Sequence, residues 1–158
     1  MKVGLANIEE ASEISKLVGS LLEEIMNTVG EKSFNFDIAV TTRRLIEAIE
    51  NENYFVLVAK DDSGVIVGCL TMYMSFALYA EGEFGTIAEF FVSDKNRSKG
   101  VGHLLCEEAK KFGVDKGWKR LEVTTPPVEE FSRTLEFYQK EGFAVAGGRK
   151  MKVLLKQA

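Results

Sequence analysis

Apolar residues in the first thirty positions return every three or four residues: Ile8, Ala11, Ile14, Leu17, Val18, Leu21, Leu22 and Ile25. That spacing gathers them on one side of a helix, with charged residues filling the other sides. A short strand at about Val3 to Ala6 precedes this helix; Asn7 suits its N-cap and Gly30 its stop. Thr41 or Thr42 is expected to open a second helix, with Leu45, Ile46 and Ile49 on one face, ending near Asn51-Glu52-Asn53.

The pattern then changes. Tyr54 to Ala59 is a β-branched and aromatic run, and Asp61-Asp62-Ser63-Gly64 is a turn leading to a second such run from Val65 to Met74. The two predict an antiparallel hairpin. Glu81 to Gly85 reads as a further turn before a strand from about Thr86 to Val92. Val101, Leu104, Leu105, Ala109 and Phe112 place one apolar face on a helix stopped by Gly117, and Leu121 and Val123 mark the next strand. Strand, helix and strand in that order predict a right-handed parallel crossover between the strands near 90 and 122. Pro126-Pro127 breaks the chain; Phe131, Thr134, Leu135 and Tyr138 then share a helical face ending at Gly142. Phe143 to Val145 and Lys150 to Lys156 read as a last antiparallel pair around Gly147-Gly148. The fold class is α+β, in mixed α/β layers: a mixed, mostly antiparallel central sheet with one parallel crossover.

Length and composition narrow the picture. The 158 residues, 46% hydrophobic and with 2 prolines, suit one domain over 1–158 with a continuous core. A net charge of −4 argues against a general nucleic-acid binder. No apolar run approaches the ~20 residues of a membrane span, and the N-terminus lacks a signal-peptide core, so a cytoplasmic location is expected. Cys69 and Cys106 stand alone in apolar runs and His103 is the single histidine, so no metal site is expected and both thiols are expected to be buried.

The most chemical stretch is Phe90 to Leu105, in which a strand-like run passes through a basic loop with Lys95, Arg97 and Lys99 into Gly100-Val101-Gly102 and a helix. Glycines at a helix start let bare N–H groups and the positive end of the helix dipole face an anion. Three phosphate-binding patterns compete. A Walker loop needs Lys-Ser or Lys-Thr after the glycines, which is missing. A dinucleotide fingerprint finds its first two glycines and an acid, Glu122, ~20 residues on, but Leu105 stands at the third glycine position and a polar loop replaces the tight turn.

In the third pattern, Arg97-Ser98-Lys99-Gly100-Val101-Gly102 resembles the acetyl-CoA loop of the GNAT superfamily of acyl-CoA N-acyltransferases: Arg or Gln, two residues, Gly, one residue, Gly or Ala. Phe91-Val92 ends a strand about five residues before the Arg, as in that family, and Phe137-Tyr138 with Gly142-Phe143 matches its second signature. The element order is similar throughout the chain. Where many relatives carry Asn and Ala before the second signature, Phe131 and Thr134 stand here.

The resemblance implies a GNAT-like fold with helices on both sheet faces, and an N-acetyltransferase moving an acetyl group from acetyl-CoA to a primary amine of a small molecule by direct transfer in a ternary complex. It implies a bulged motif strand whose residues Phe90, Phe91 and Val92 meet pantetheine and thioester, with the Val92 N–H as oxyanion donor. Arg97, Ser98, Lys99, Gly100, Val101, Gly102 and His103 would hold the diphosphate, largely by main-chain N–H groups. Tyr138 would protonate the leaving sulfur, its phenol being a fair match for a thiol. Glu89, with Ala88 in place of a second acid common in relatives, would take the amine proton; water is the alternative. Glu23, Glu24, Asp37, Glu81 and Glu83 are candidate attractors of a cationic amine, and Phe76, Tyr79, Phe84 and Phe90 candidate lining for its cleft. A non-catalytic CoA-binding module and a protein N-terminal or lysine acetyltransferase are the other readings. The last strands offer an edge for pairing in a homodimer.

Overall fold

In the computed structural model, which describes residues 1–126 and 129–157, the sheet holds five strands in chain order. They are β1 (Lys2–Leu5), β2 (Tyr54–Lys60), β3 (Ile66–Ala77), β4 (Gly82–Val92) and β5 (Leu121–Val123). The first three junctions are antiparallel and β4 runs parallel to β5, which is the expected crossover. Two compact units divide the chain, Met1–Val123 and Thr124–Ala158, and the whole sheet lies in the first.

Helices α1 (Ala11–Val29) and α2 (Ile38–Glu50) cover one sheet face. Ala11, Ile14 and Leu45 from these helices meet Val56, Val58, Ile66 and Cys69 from the strands in a buried cluster. Asn7 caps a 3-10 turn at Ile8–Glu10 that runs directly into α1, whose own N-cap is Glu10; the Glu10 carboxylate accepts the Asn7 N–H at 2.8 Å. Gly30 closes the helix in the left-handed region, φ 74°. Helix α2 starts earlier than expected. Asp37, not Thr41 or Thr42, is its cap, its carboxylate accepting the Val40 N–H at 3.0 Å; the Thr42 hydroxyl bonds back to the Ile38 carbonyl from inside the helix.

Helix α3 (Val101–Lys116) covers the opposite face. Gly68 on β3 makes room for it: a Cβ there would lie 3.2 Å from the Phe91 carbonyl and 3.3 Å from Leu105. Phe55, Phe112 and Trp118 form an aromatic cluster, with ring centroids 4.9 to 5.9 Å apart. Trp118 also corrects the expected turn at Glu81 to Gly85. That turn lies at Leu78–Glu81, and β4 already runs from Gly82. Gly85 is a strand glycine because a Cβ would stand 2.4 Å from the Trp118 ring and 2.7 Å from Leu121.

In the second unit, a 3-10 turn at Glu129–Phe131 leads into α4 (Ser132–Lys140), and Gly142 follows with φ 97°. Pro127 of the expected break lies outside the described residues. The expected last antiparallel pair does not form: among the described residues no strand follows β5. Gly147 and Gly148 both have positive φ, as a hairpin turn would want, but a lone two-stranded ribbon is at best marginally stable. Val153, Leu154 and Leu155 are left exposed. Among the described residues no helix is long and apolar enough to cross a membrane.

Candidate active site

Strand β4 changes character at Ala88. Thr71 pairs with Glu89 but Met72 pairs with Ile87, so Ala88 is one extra residue, a β-bulge. Before it, Gly85–Ile87 is paired on both sides, with β3 and with β5. Beyond it, β5 does not pair with β4. The bond from Ser93 N–H to the Val67 carbonyl, 2.9 Å, fixes the alternation, so the Val92 N–H is turned away from β3.

The loop after β4 is held by Arg97. Its Nε donates to the Val92 carbonyl at 2.8 Å, and its two terminal nitrogens donate to both carboxylate oxygens of Glu24 on α1, at 3.1 and 2.7 Å. Asp94 lies 3.1 Å from the same guanidinium, which also stacks 5.1 Å over the Phe91 ring. The bond from Glu24 is the main reason that Arg97 is held still more firmly protonated than usual. Arg97 is thus a clasp across the strand exit, a job its place in the glycine pattern did not announce.

The main chain beyond the clasp is bare. Ser98 and Gly100 have φ of 60° and 84°, both left-handed, and a side chain at Gly100 would be strained for that reason. Among the described residues, no main-chain hydrogen bond of ordinary geometry starts from the N–H groups of Ser98, Lys99, Gly100, Val101 and Gly102, and the first helical bond runs from Leu104 N–H to the Gly100 carbonyl at 3.1 Å. Alternating left-handed residues at a helix start form an anion-binding concavity, to which the helix dipole adds positive potential. Lys99 and His103 are exposed beside it. The group therefore suits a diphosphate: five open donors, no carboxylate among them and no side chain at Gly100.

Glu89 is half-buried on the α1 side of the sheet, the side shared by Cys69 and Phe91. Its Oε1 accepts the hydroxyls of Tyr54 on β2 and Thr71 on β3, and its own N–H donates to the Thr71 oxygen at 2.9 Å. Burial and then the neighbouring Glu89 carboxylate drive the Tyr54 phenol well above its ordinary range, so it stays a donor; the same two causes push the buried Cys69 thiol up to about 12. Neither Tyr54 nor Thr71 stood out among the strand residues. The signal was present: strand alternation puts Tyr54, Val56 and Val58 on one face, where a hydroxyl among aliphatics needs a polar partner.

The other expected residues scatter. Phe90 and Phe84 fall on opposite sheet faces, while Phe76 and Tyr79 are exposed near the β3–β4 turn, so the four aromatics do not line one cleft. Glu24 is spent on Arg97, Asp37 on the α2 cap, and Glu81 lies 3.6 Å from Lys119. A hollow of about 430 Å³ between α1 and α2 is instead flanked by Lys32 and Arg44, with Phe34, Phe36 and Val40 as apolar wall. Phe36 reaches α1 because residue 19 is glycine; a Cβ there would lie 2.6 Å from its ring. In the second unit, Tyr138 is buried between Phe137 and Phe143, with ring centroids 5.5 and 5.3 Å away.

Residues 51–145 match the model of the acetyltransferase (GNAT) domain. The chain belongs to that family. Solved structures agree on the fold. The F44R mutant of the BH1408 protein from Bacillus halodurans superposes with a TM-score of 0.81 at 19% identity, over 98% of this chain and 100% of that one. An integron cassette protein, HFX_CASS3, from the mobile metagenome of Cole Harbour Salt Marsh gives 0.80 at 19%, over 99% and 91%. The aminoglycoside acetyltransferase meta-AAC0020, from an uncultured soil metagenomic sample and in complex with sisomicin, gives 0.76 at 20%, over 98% and 96%. No curated protein matches the sequence.

Proposed function

We propose that this GNAT domain is an N-acetyltransferase that moves the acetyl group of acetyl-CoA to a primary amine of a small molecule, directly and within a ternary complex. The observation that carries the reading is the run of five undonated N–H groups at Ser98–Gly102, next to a β4 edge along which the Val92 N–H is turned outward. The run binds diphosphate; the Val92 N–H stabilises negative charge on the thioester oxygen as the amine attacks. As the new C–N bond forms, the amine proton passes to Glu89, directly or through water, and the C–S bond breaks. Tyr138 protonates the departing sulfur, a role that rests on its place in the Phe137-Tyr138 and Gly142-Phe143 signature. A small-molecule acceptor is supported by the aminoglycoside acetyltransferases of the same fold.

Two measurements test the reading. Calorimetry should detect binding of coenzyme A, and a thiol-release assay with acetyl-CoA and an amine panel should detect turnover. Replacement of Tyr138 by Phe should lower kcat by about 10²-fold, the usual scale of general acid catalysis, with the CoA affinity retained. Binding without turnover of any amine would favour a CoA-binding module; turnover only with peptides would favour a protein acetyltransferase.

A further inference from the structure

We propose that Tyr54 and Thr71 are positioning residues for Glu89: they anchor one carboxylate oxygen and leave the other to receive the acceptor amine's proton. The inference rests on the catalytic reading of Glu89 above. Three neighbouring strands supply one residue each, and strand register puts all three side chains on the α1 face. Thr71 lies directly opposite Glu89, and Tyr54 reaches the pair diagonally from β2.

Counting hydrogens fixes the direction of the network. The oxygens of Tyr54, Thr71 and Glu89 Oε1 are all in mutual contact, the Tyr54–Thr71 edge being 3.0 Å. With the carboxylate ionised there are two hydroxyl hydrogens for three edges. Both go to Oε1, the charged acceptor, because hydrogen bonds to an ionised oxygen are the stronger ones. The Thr71 oxygen is then left to accept the Glu89 N–H. One threonine therefore holds both ends of the glutamate, its main chain and its carboxylate, and fixes the rotamer between them. Oε2 takes none of these bonds. During transfer the amine's proton moves to Oε2 as the nitrogen bonds to the acetyl carbon and the C–S bond breaks. Afterwards the protonated Glu89 returns that proton to solvent.

A hydroxyl pair that merely satisfies a half-buried acid would look the same in a static structure, so the test must separate the two. The full chain is assayed by thiol release with the best amine of the panel, for wild type, Tyr54→Phe, Thr71→Val, Thr71→Ser, Glu89→Gln and the double variant Tyr54→Phe/Glu89→Gln. Thermal midpoints confirm folding. Tyr54→Phe and Thr71→Val should each lower kcat about ten- to a hundredfold with KM for acetyl-CoA unchanged, the scale expected when a catalytic group is displaced by about 1 Å. Thr71→Ser should restore most of the rate. In the Glu89→Gln background, Tyr54→Phe should cost nothing more, because its action passes through the carboxylate. An unchanged kcat in Tyr54→Phe, or the same additional fall in both backgrounds, overturns the inference and leaves the acetyltransferase reading intact. If coenzyme A binds and no amine is acetylated, the catalytic reading fails and takes this inference with it.

Discussion

The two halves of β4 use the same backbone for opposite ends. From Gly82 to Ile87 the strand becomes wedged into structure: it pairs with β3, its Gly85–Ile87 segment also pairs with β5, and Trp118 lies over Gly85. From Glu89 to Val92 it pairs with β3 and not with β5, and it presents a fixed carboxylate and an outward N–H. Ala88 divides them. A single extra residue ends the regular ladder and bends the strand, so that packing fills one half and chemistry can occupy the other. The halves should therefore fail differently when they are damaged.

The largest effect is expected in the packed half. Gly85→Val puts a branched side chain where a single Cβ would already stand 2.4 Å from the Trp118 ring. Overpacking of that kind costs about 3 kcal/mol, at the upper end of its usual range, and urea unfolding should show the loss. The protein that remains folded should bind coenzyme A as wild type does. A matching loss of affinity would show that the two halves are coupled, and that the division at Ala88 is too sharp.

The bare half should show the reverse. Gly100 has open space around its Cβ position, so nothing there resists a side chain except the backbone angle, φ 84°. Gly100→Ala must either hold a left-handed conformation, at roughly 1–2 kcal/mol, or relax and turn its N–H away. Coenzyme A affinity should fall about tenfold, corresponding to ~1.4 kcal/mol, with a smaller change in unfolding free energy. Calorimetry and urea titration on the same preparation would check both. An unchanged affinity would show that the glycine serves helix entry and not the ligand.

Much of this contrast could be read from the residues. The helix limits at Asn7, Gly30 and Gly117 are local capping chemistry, and the parallel crossover follows from element order and chirality, so both were legible. The turn into α3 was legible at Gly100, whose left-handed φ of 84° favours glycine. What escaped depends on partners distant in sequence. Gly85 reads as a turn until Trp118 is known to lie over it, Tyr54 reads as an ordinary strand aromatic until Glu89 is seen 35 residues away, and the clasp of Arg97 on Glu24 joins residues 73 apart. The last pair of strands shows the limit of local signals: alternation and two glycines state a preference, which a ribbon without a further strand does not fulfil.

Arg97 offers the smallest effect and the finest test. Its ion pair with Glu24 is about half exposed, with side-chain accessibilities of 39% and 47%, so Glu24→Gln should change stability by less than about 1 kcal/mol. The sign of its effect on ligand affinity is more informative. Glu24 holds the guanidinium and adds a negative charge close to the proposed diphosphate site. Neutralising it removes repulsion and releases Arg97, so coenzyme A affinity should rise about two- to threefold in low salt and return to the wild-type value as added salt screens the charge. A fall in affinity at every salt concentration would mean that the clasp matters more than the charge: the bonds from Arg97 to Glu24 and to the Val92 carbonyl would then be what keeps the open half of β4 in shape, and Glu24, on a different helix, would belong to the site.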